Sequence, residues 1–173
     1  MKIKSIVRIS LFSALICIAT VAIPPIPIFS IPVTLQTLII MLTAFFLKPS
    51  EAFISVLLYL VLGFIGLPVF SGFNSGIAYI LGPTGGFLLS FPISAFLISY
   101  FKGGLSFGRL LIVNILFGIV FVYIIAILWM RIILDISFLS AASSLLIFVA
   151  IDTGKVILAA FVGTKLKGIS VLN

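Results

Sequence analysis

The sequence has no histidine, a single cysteine and only three acidic residues in 173. Without imidazole, the common nitrogen-based metal sites are excluded. One thiol, Cys17, excludes an internal disulfide and says nothing about redox compartment. Charge of either sign is scarce: Asp, Glu, Lys and Arg together make up 8% of the chain, about a third of their share in a soluble domain. Ten basic residues give a net charge of +7, yet they are spread over the whole chain and form no dense patch for nucleic acid. What fills the sequence instead is apolar. Hydrophobic residues reach 64% and mean hydropathy is +1.54, more than polar surface can clothe. Soluble enzymes, nucleic-acid binders and disordered chains are excluded as classes. The chain reads as an integral membrane protein.

No charged residue lies between Arg8 and Lys48, and none between Glu51 and Lys102. A crossing helix needs about 20 apolar residues, so each gap holds two crossings. Proline, glycine and charge divide the chain into six spans, near Ile6–Ile23, Val33–Leu47, Glu51–Gly66, Thr84–Phe101, Arg109–Met130 and Ala141–Gly163. The apolar runs are continuous rather than alternating, which argues against a membrane barrel. The expected fold is therefore all-α: one compact domain over residues 1–173, a bundle of six transmembrane helices. Lys2, Lys4, Arg8, Lys48, Lys102, Arg109, Lys165 and Lys167 fall on one side of this topology and only Arg131 on the other. That asymmetry places both termini in the cytoplasm. Trp129, beside Arg131, then sits at the outer boundary. The first span also has the outline of a signal peptide, but a bundle missing one helix would expose packing surface, so its retention is expected.

Two outer connections hold most of the irregular sequence. Pro24 to Pro32 carries four prolines and no charge, which predicts a stiff extended link. Leu67 to Pro83 is too apolar for a loop waving in water and is expected to fold back over the bundle around one short helical turn. Ser50 is the expected cap of the third helix and Thr84 that of the fourth.

The sharpest chemical feature is Asp152-Thr153-Gly154-Lys155 inside the sixth span. Each ionisable residue at a helix centre costs roughly 2.5–3.5 kcal/mol on insertion, so a pair there calls for a reason. Three residues apart, the two side chains share a helix face. Counted from Ala141 at 1.5 Å per residue, Asp152 lies roughly 16 Å along the helix, and Gly154 would permit a close approach. A structural ion pair is the plainer alternative. Gly154-Lys155 lacks the glycine spacing and the Ser/Thr of a phosphate loop, so no nucleotide hydrolysis is expected. Thr34, Gln36 and Thr37 point inward by elimination, and Gln36 needs a partner there. With Tyr59, Asn74, Tyr79, Asp152 and Lys155 they supply most donors and acceptors of the outer half, enough for a small binding pocket. No catalytic set, metal or cofactor is expected. In the first span, Ser10 with Ala14, and Ser13 with Cys17, form small-residue pairs suited to close helix contact.

IPVTLQT (31–37), LLYLVLGFIGLPVF (57–70) and GPTGGFLLSF (82–91) resemble the BioY family, the biotin-binding S components of energy-coupling factor (ECF) transporters. SLFSALICIAT (10–20) is similar to that family's small-residue first helix, with Ser10 and Ser13 where alanines are usual. IDTGK (151–155) resembles its acidic-x-x-lysine pair. The resemblance implies a six-helix S component in a bacterial plasma membrane that takes up biotin from outside. It implies partners as well: surrounding lipid, a transmembrane coupling protein met through the Ser10/Ala14 face, and two separate ATPase subunits. It carries a ligand role onto Asp152 and Lys155, with Asn74 a looser match. Biotin offers two ureido N–H donors, an apolar ring and a carboxylate, which an Asp, aromatic walls and an ammonium would complement. The sequence leaves open which of the pair meets the ureido group and which the carboxylate, with Asp152 the better match for the ureido group. The alternatives are an S component for another small carboxylated nutrient, an intramembrane enzyme, or a structural subunit.

Overall fold

The computed structural model describes residues 3–22, 26–28 and 31–168. The first helix, α1 (Ile3–Ala22), is followed by a two-stranded antiparallel hairpin, β1 (Ile26–Ile28) and β2 (Ile31–Val33), with Pro27 opposite Pro32. The expected stiff link from Pro24 to Pro32 is thus a hairpin where it is described; prolines are tolerated in a two-stranded ribbon because each strand has a free edge. Then come α2 (Gln36–Phe46) and α3 (Pro49–Phe64). A 3₁₀ turn at Ser71–Phe73 and the short α4 (Ile77–Ile80) lead to α5 (Gly85–Phe101). A continuous helix, α6 (Phe107–Leu134), contains a π-helical segment at Asn114–Val120. The described residues close with α7 (Phe138–Ser144), α8 (Leu146–Lys165) and a 3₁₀ turn at Leu166–Gly168.

Three of these helices, α1, α6 and α8, are long and apolar enough to cross a membrane; α2, α3 and α5 are apolar but shorter. The boundaries follow local chemistry. Lys48 precedes a proline and is extended, and Pro49 opens α3, a position where its missing N–H costs nothing. The start of α3 therefore rests on proline rather than on the expected Ser50 cap. Thr84 stands at the N-cap of α5 but makes no side-chain cap bond. Gly66, at φ +106°, ends α3 in a conformation that suits glycine.

The largest departure is at the last span. Instead of one helix from Ala141, α7 and α8 are separated at Leu145. Ser143 and Ser144 donate back to the carbonyls of Ser140 and Ala141, at 3.0 and 2.8 Å, and such bonds compete with the helical ladder. The helix bearing Asp152 thus starts at Leu146, which puts that residue about 9 Å along it rather than 16 Å.

α5 lies between α3 and α6, α2 packs on both α5 and α8, and α1 covers α2 and α3. Ile16, Phe45, Val56, Tyr59, Ile98 and Leu110 are fully buried at the centre. Two ends differ in character. At the first, Arg8 pairs with Glu51 at 3.2 Å and Ser5 donates to the same carboxylate oxygen at 2.6 Å. Lys102 there donates to the carbonyls of Ala44, Phe45 and Leu47, which cap α2. At the second end, Trp129 Nε1 donates to the Gly82 carbonyl at 2.9 Å, tying α6 to the loop before α5. Gly86 allows this contact, since a Cβ there would sit 2.5 Å from the Trp129 Cβ.

Leu67 to Pro83 does fold back, through two short helical turns rather than one. Phe70 is the anchor. Its ring is fully buried in the space that Gly63 leaves open, edge-on to Tyr59 at 5.6 Å and stacked on Tyr79 at 5.3 Å.

Candidate ligand-binding site

A cavity of about 50 Å³ opens among α2, α5, α6, α8 and the outer loops. Its loop-side wall comes from Val33, Thr34, Ser71, Tyr79 and Thr84, and its deeper wall from Phe87, Phe91, Tyr123, Phe148, Asp152 and Lys155. Apolar and aromatic surface dominates, and the two charged groups meet at one spot.

That spot is Asp152. One carboxylate oxygen, Oδ1, accepts from Lys155 Nζ at 2.7 Å and from Thr37 Oγ1 at 3.3 Å. The other, Oδ2, accepts from the Tyr123 hydroxyl at 2.8 Å. Lys155 Nζ also donates to Thr37 Oγ1 at 3.1 Å. Asp152 is only 6% exposed, so the ion pair is shielded from bulk water. A buried pair of this kind survives when its remaining lone pairs and protons are satisfied, which is what Thr37 and Tyr123 do. Phe87 stands edge-on to Tyr123 at 5.6 Å and fixes its ring.

The structure brings together Gln36, Tyr79, Asp152 and Lys155 from the expected set. Tyr59 lies behind the wall: fully buried, it accepts from Gln36 Nε2 at 2.8 Å and so orients a lining residue without lining the cavity. Asn74 is not part of the lining. Its amide donates to the Ser71 carbonyl at 2.7 Å and pins the loop turn. Gly154 faces outward with nothing near its Cβ position, so the close approach expected there is absent among the described residues. On α1, Ser10 and Ala14 are exposed, whereas Ser13 is buried and Cys17 half-buried; the two small-residue pairs occupy different faces.

Tyr123 is the residue that sequence reasoning missed. It is a hydroxyl in the middle of a long apolar run, and that was the available signal. A π turn holds about one residue more than an α turn, so directions counted from Arg109 at about 3.6 residues per turn fail beyond Val120.

Fold and site together define an integral membrane protein with a largely apolar cavity in which a buried carboxylate and an ammonium meet. The chain belongs to the BioY family, whose model matches residues 1–170. It is 38% identical over 133 residues to a probable biotin transporter BioY of Pyrococcus horikoshii, spanning 75% of this chain and 76% of that one. Against a probable biotin transporter BioY of Bacillus subtilis, it is 34% identical over 170 residues, 96% of this chain and 91% of the relative. Among solved structures, the S-component for biotin from an ECF-type ABC transporter superposes with a TM-score of 0.89 at 35% identity, covering 96% and 92% of the two chains.

Proposed function

We propose that this protein is the S component of a biotin uptake system, capturing biotin from the outer face of a cell membrane. The observation that carries the reading is the bonded set of Asp152, Lys155, Thr37 and Tyr123 in the deeper part of a largely apolar cavity. A ureido group presents one carbonyl acceptor flanked by two N–H donors. Asp152 accepts from such N–H groups, while Lys155 donates to the carbonyl. Because Asp152 and Lys155 touch, and biotin's two polar ends are held apart by its bicyclic ring and four methylenes, the pair acts as one unit on one end of the ligand. The ureido head goes to this unit, the ring lies against Phe87 and Phe91, and the tail runs toward Thr34, Tyr79 and Thr84.

The same reading takes all six apolar helices as crossings, α2, α3 and α5 being short ones, with both termini in the cytoplasm. It is supported by the gathering of Arg8, Glu51 and Lys102 at the end opposite the loops. The first helix is retained, since Ile9, Ser13, Ile16 and Thr20 pack into the bundle. Ser10 and Ala14 form its docking face for a transmembrane coupling protein, which connects the S component to two ATPases.

Calorimetric titration of the detergent-purified protein with biotin, alongside mass spectrometry of any co-purified ligand, tests this. One biotin per chain is the expected result. A different carboxylated nutrient in the purified material, with no heat from biotin, assigns the pocket to that nutrient instead.

A further inference from the structure

We infer that the pocket reads the head of its ligand and not the charge of its tail, so that its substrate class includes biotin whose carboxylate is capped as a neutral amide or ester. The inference rests on the biotin reading above and concerns the opposite end of the ligand.

Three observations carry it. Among the described residues, Lys155 is the only cation in the lining, and its ammonium is already held by Asp152 Oδ1 at 2.7 Å and Thr37 Oγ1 at 3.1 Å. Asp152 is equally occupied, with Tyr123 on its second oxygen. The charged unit is therefore neutral, and drawing Lys155 away toward a distant carboxylate would leave Asp152 buried without its counter-charge. Second, the loop-side wall offers the hydroxyls of Thr34, Ser71, Tyr79 and Thr84 and, among the described residues, no charged group. Third, the outer segments from which that wall is drawn contain no Lys, Arg, Asp or Glu anywhere in residues 24–35 or 65–84. Arg131, at the same end of the molecule, is exposed and lies outside the lining.

Sites that select a carboxylate do so with charge-assisted bonds from Arg or Lys, often bidentate. Among the described residues, nothing of that kind faces the tail. The carboxylate of bound biotin stays in contact with water at the mouth, where it gains little from the protein and loses little hydration. Replacing it by an amide, which the same hydroxyls accommodate through its own donors and acceptor, removes no ion pair.

The test compares biotin with biotin amide and biotin methyl ester by calorimetry on the intact detergent-purified protein. The expected result is affinity for both neutral analogues within about fivefold of that for biotin, less than about 1 kcal/mol apart. A loss greater than fivefold for both overturns the inference while leaving biotin capture standing. Absence of binding by biotin itself removes the reading beneath it. Lys155→Met supplies a second arm. If Lys155 serves the head, biotin and biotin amide lose affinity by similar factors; loss confined to biotin places the ammonium on the tail and overturns the inference.

Discussion

At the scale of single residues, Asp152 shows how a membrane protein keeps a charge indoors. Isolated, it would be expelled or neutralised; with three donors on two oxygens it is held in place. The partners are not equivalent. Lys155 balances charge, so Lys155→Ala leaves an uncompensated carboxylate and is expected to destabilise the fold by roughly 3–5 kcal/mol, seen as a large fall in the midpoint of thermal unfolding in detergent. Tyr123 supplies one bond to a charged acceptor, so Tyr123→Phe keeps the ring against Phe87 and loses about 1.5–3 kcal/mol at most. Its signature is a biotin affinity reduced tenfold or more with a far smaller drop in midpoint. Equal destabilisation by the two variants would contradict this division of roles.

Among elements, two contacts set the shape of the site from outside it. Phe70 brings the outer loop down onto α3 because Gly63 has no side chain, and Tyr79 follows by stacking on Phe70. A Cβ at position 63 would sit 2.1 Å from the Phe70 ring, an overlap that no small shift relieves. Gly63→Ala should thus cost about 1–3 kcal/mol of stability and lower biotin affinity by displacing Tyr79, measurable by calorimetry, although residue 63 does not line the cavity. At the other end of the bundle, Lys102 caps α2 through three carbonyls, where a cation opposes the helix dipole. Burial nevertheless pushes its ammonium down to about 8, against a smaller upward pull from Glu51. Between that value and the ordinary lysine range near 10.4, the unfolded chain binds the proton that the folded chain has released. Stability from this group therefore rises with pH across the window and is flat below it. Thermal scans from pH 8 to 10 should show a steeper rise in midpoint for the native chain than for Lys102→Met; parallel slopes would contradict the assignment.

Considered as a whole, the molecule is a bundle whose loop end holds the cavity around Asp152 and whose opposite end gathers basic side chains. Its first helix presents Ser10 and Ala14 outward while anchoring itself through Ile9, Ser13 and Ile16 and through the Arg8–Glu51 pair. The cavity lining takes nothing from that helix among the described residues. On the proposed function, capture and partner docking are thereby separated in space. Ala14→Phe should leave biotin affinity within about twofold, since it touches no lining residue, yet reduce uptake by the assembled transporter through loss of close helix contact. Unchanged uptake and unchanged co-purification of partners would place the docking face elsewhere.

The class of protein was legible in composition alone, because 64% hydrophobic residues with 8% charge leave only a membrane as solvent. Asp152 and Lys155 were legible as well, since charge inside an apolar run is costly and their spacing fixes a shared face. BioY membership followed from the central motifs. Other features depended on contacts between distant segments. Tyr123 reaches Asp152 across 29 positions because a π segment re-aims the helix that bears it. Thr37 reaches the same carboxylate across 115, while Asn74 is kept out of the site by its own turn. The break at Leu145 coincides with two serines bonding backward, which hydrophobicity does not register. Cost of burial is a property of each residue and can be read along the chain; the partners that offset it are chosen by packing, which only the folded molecule decides.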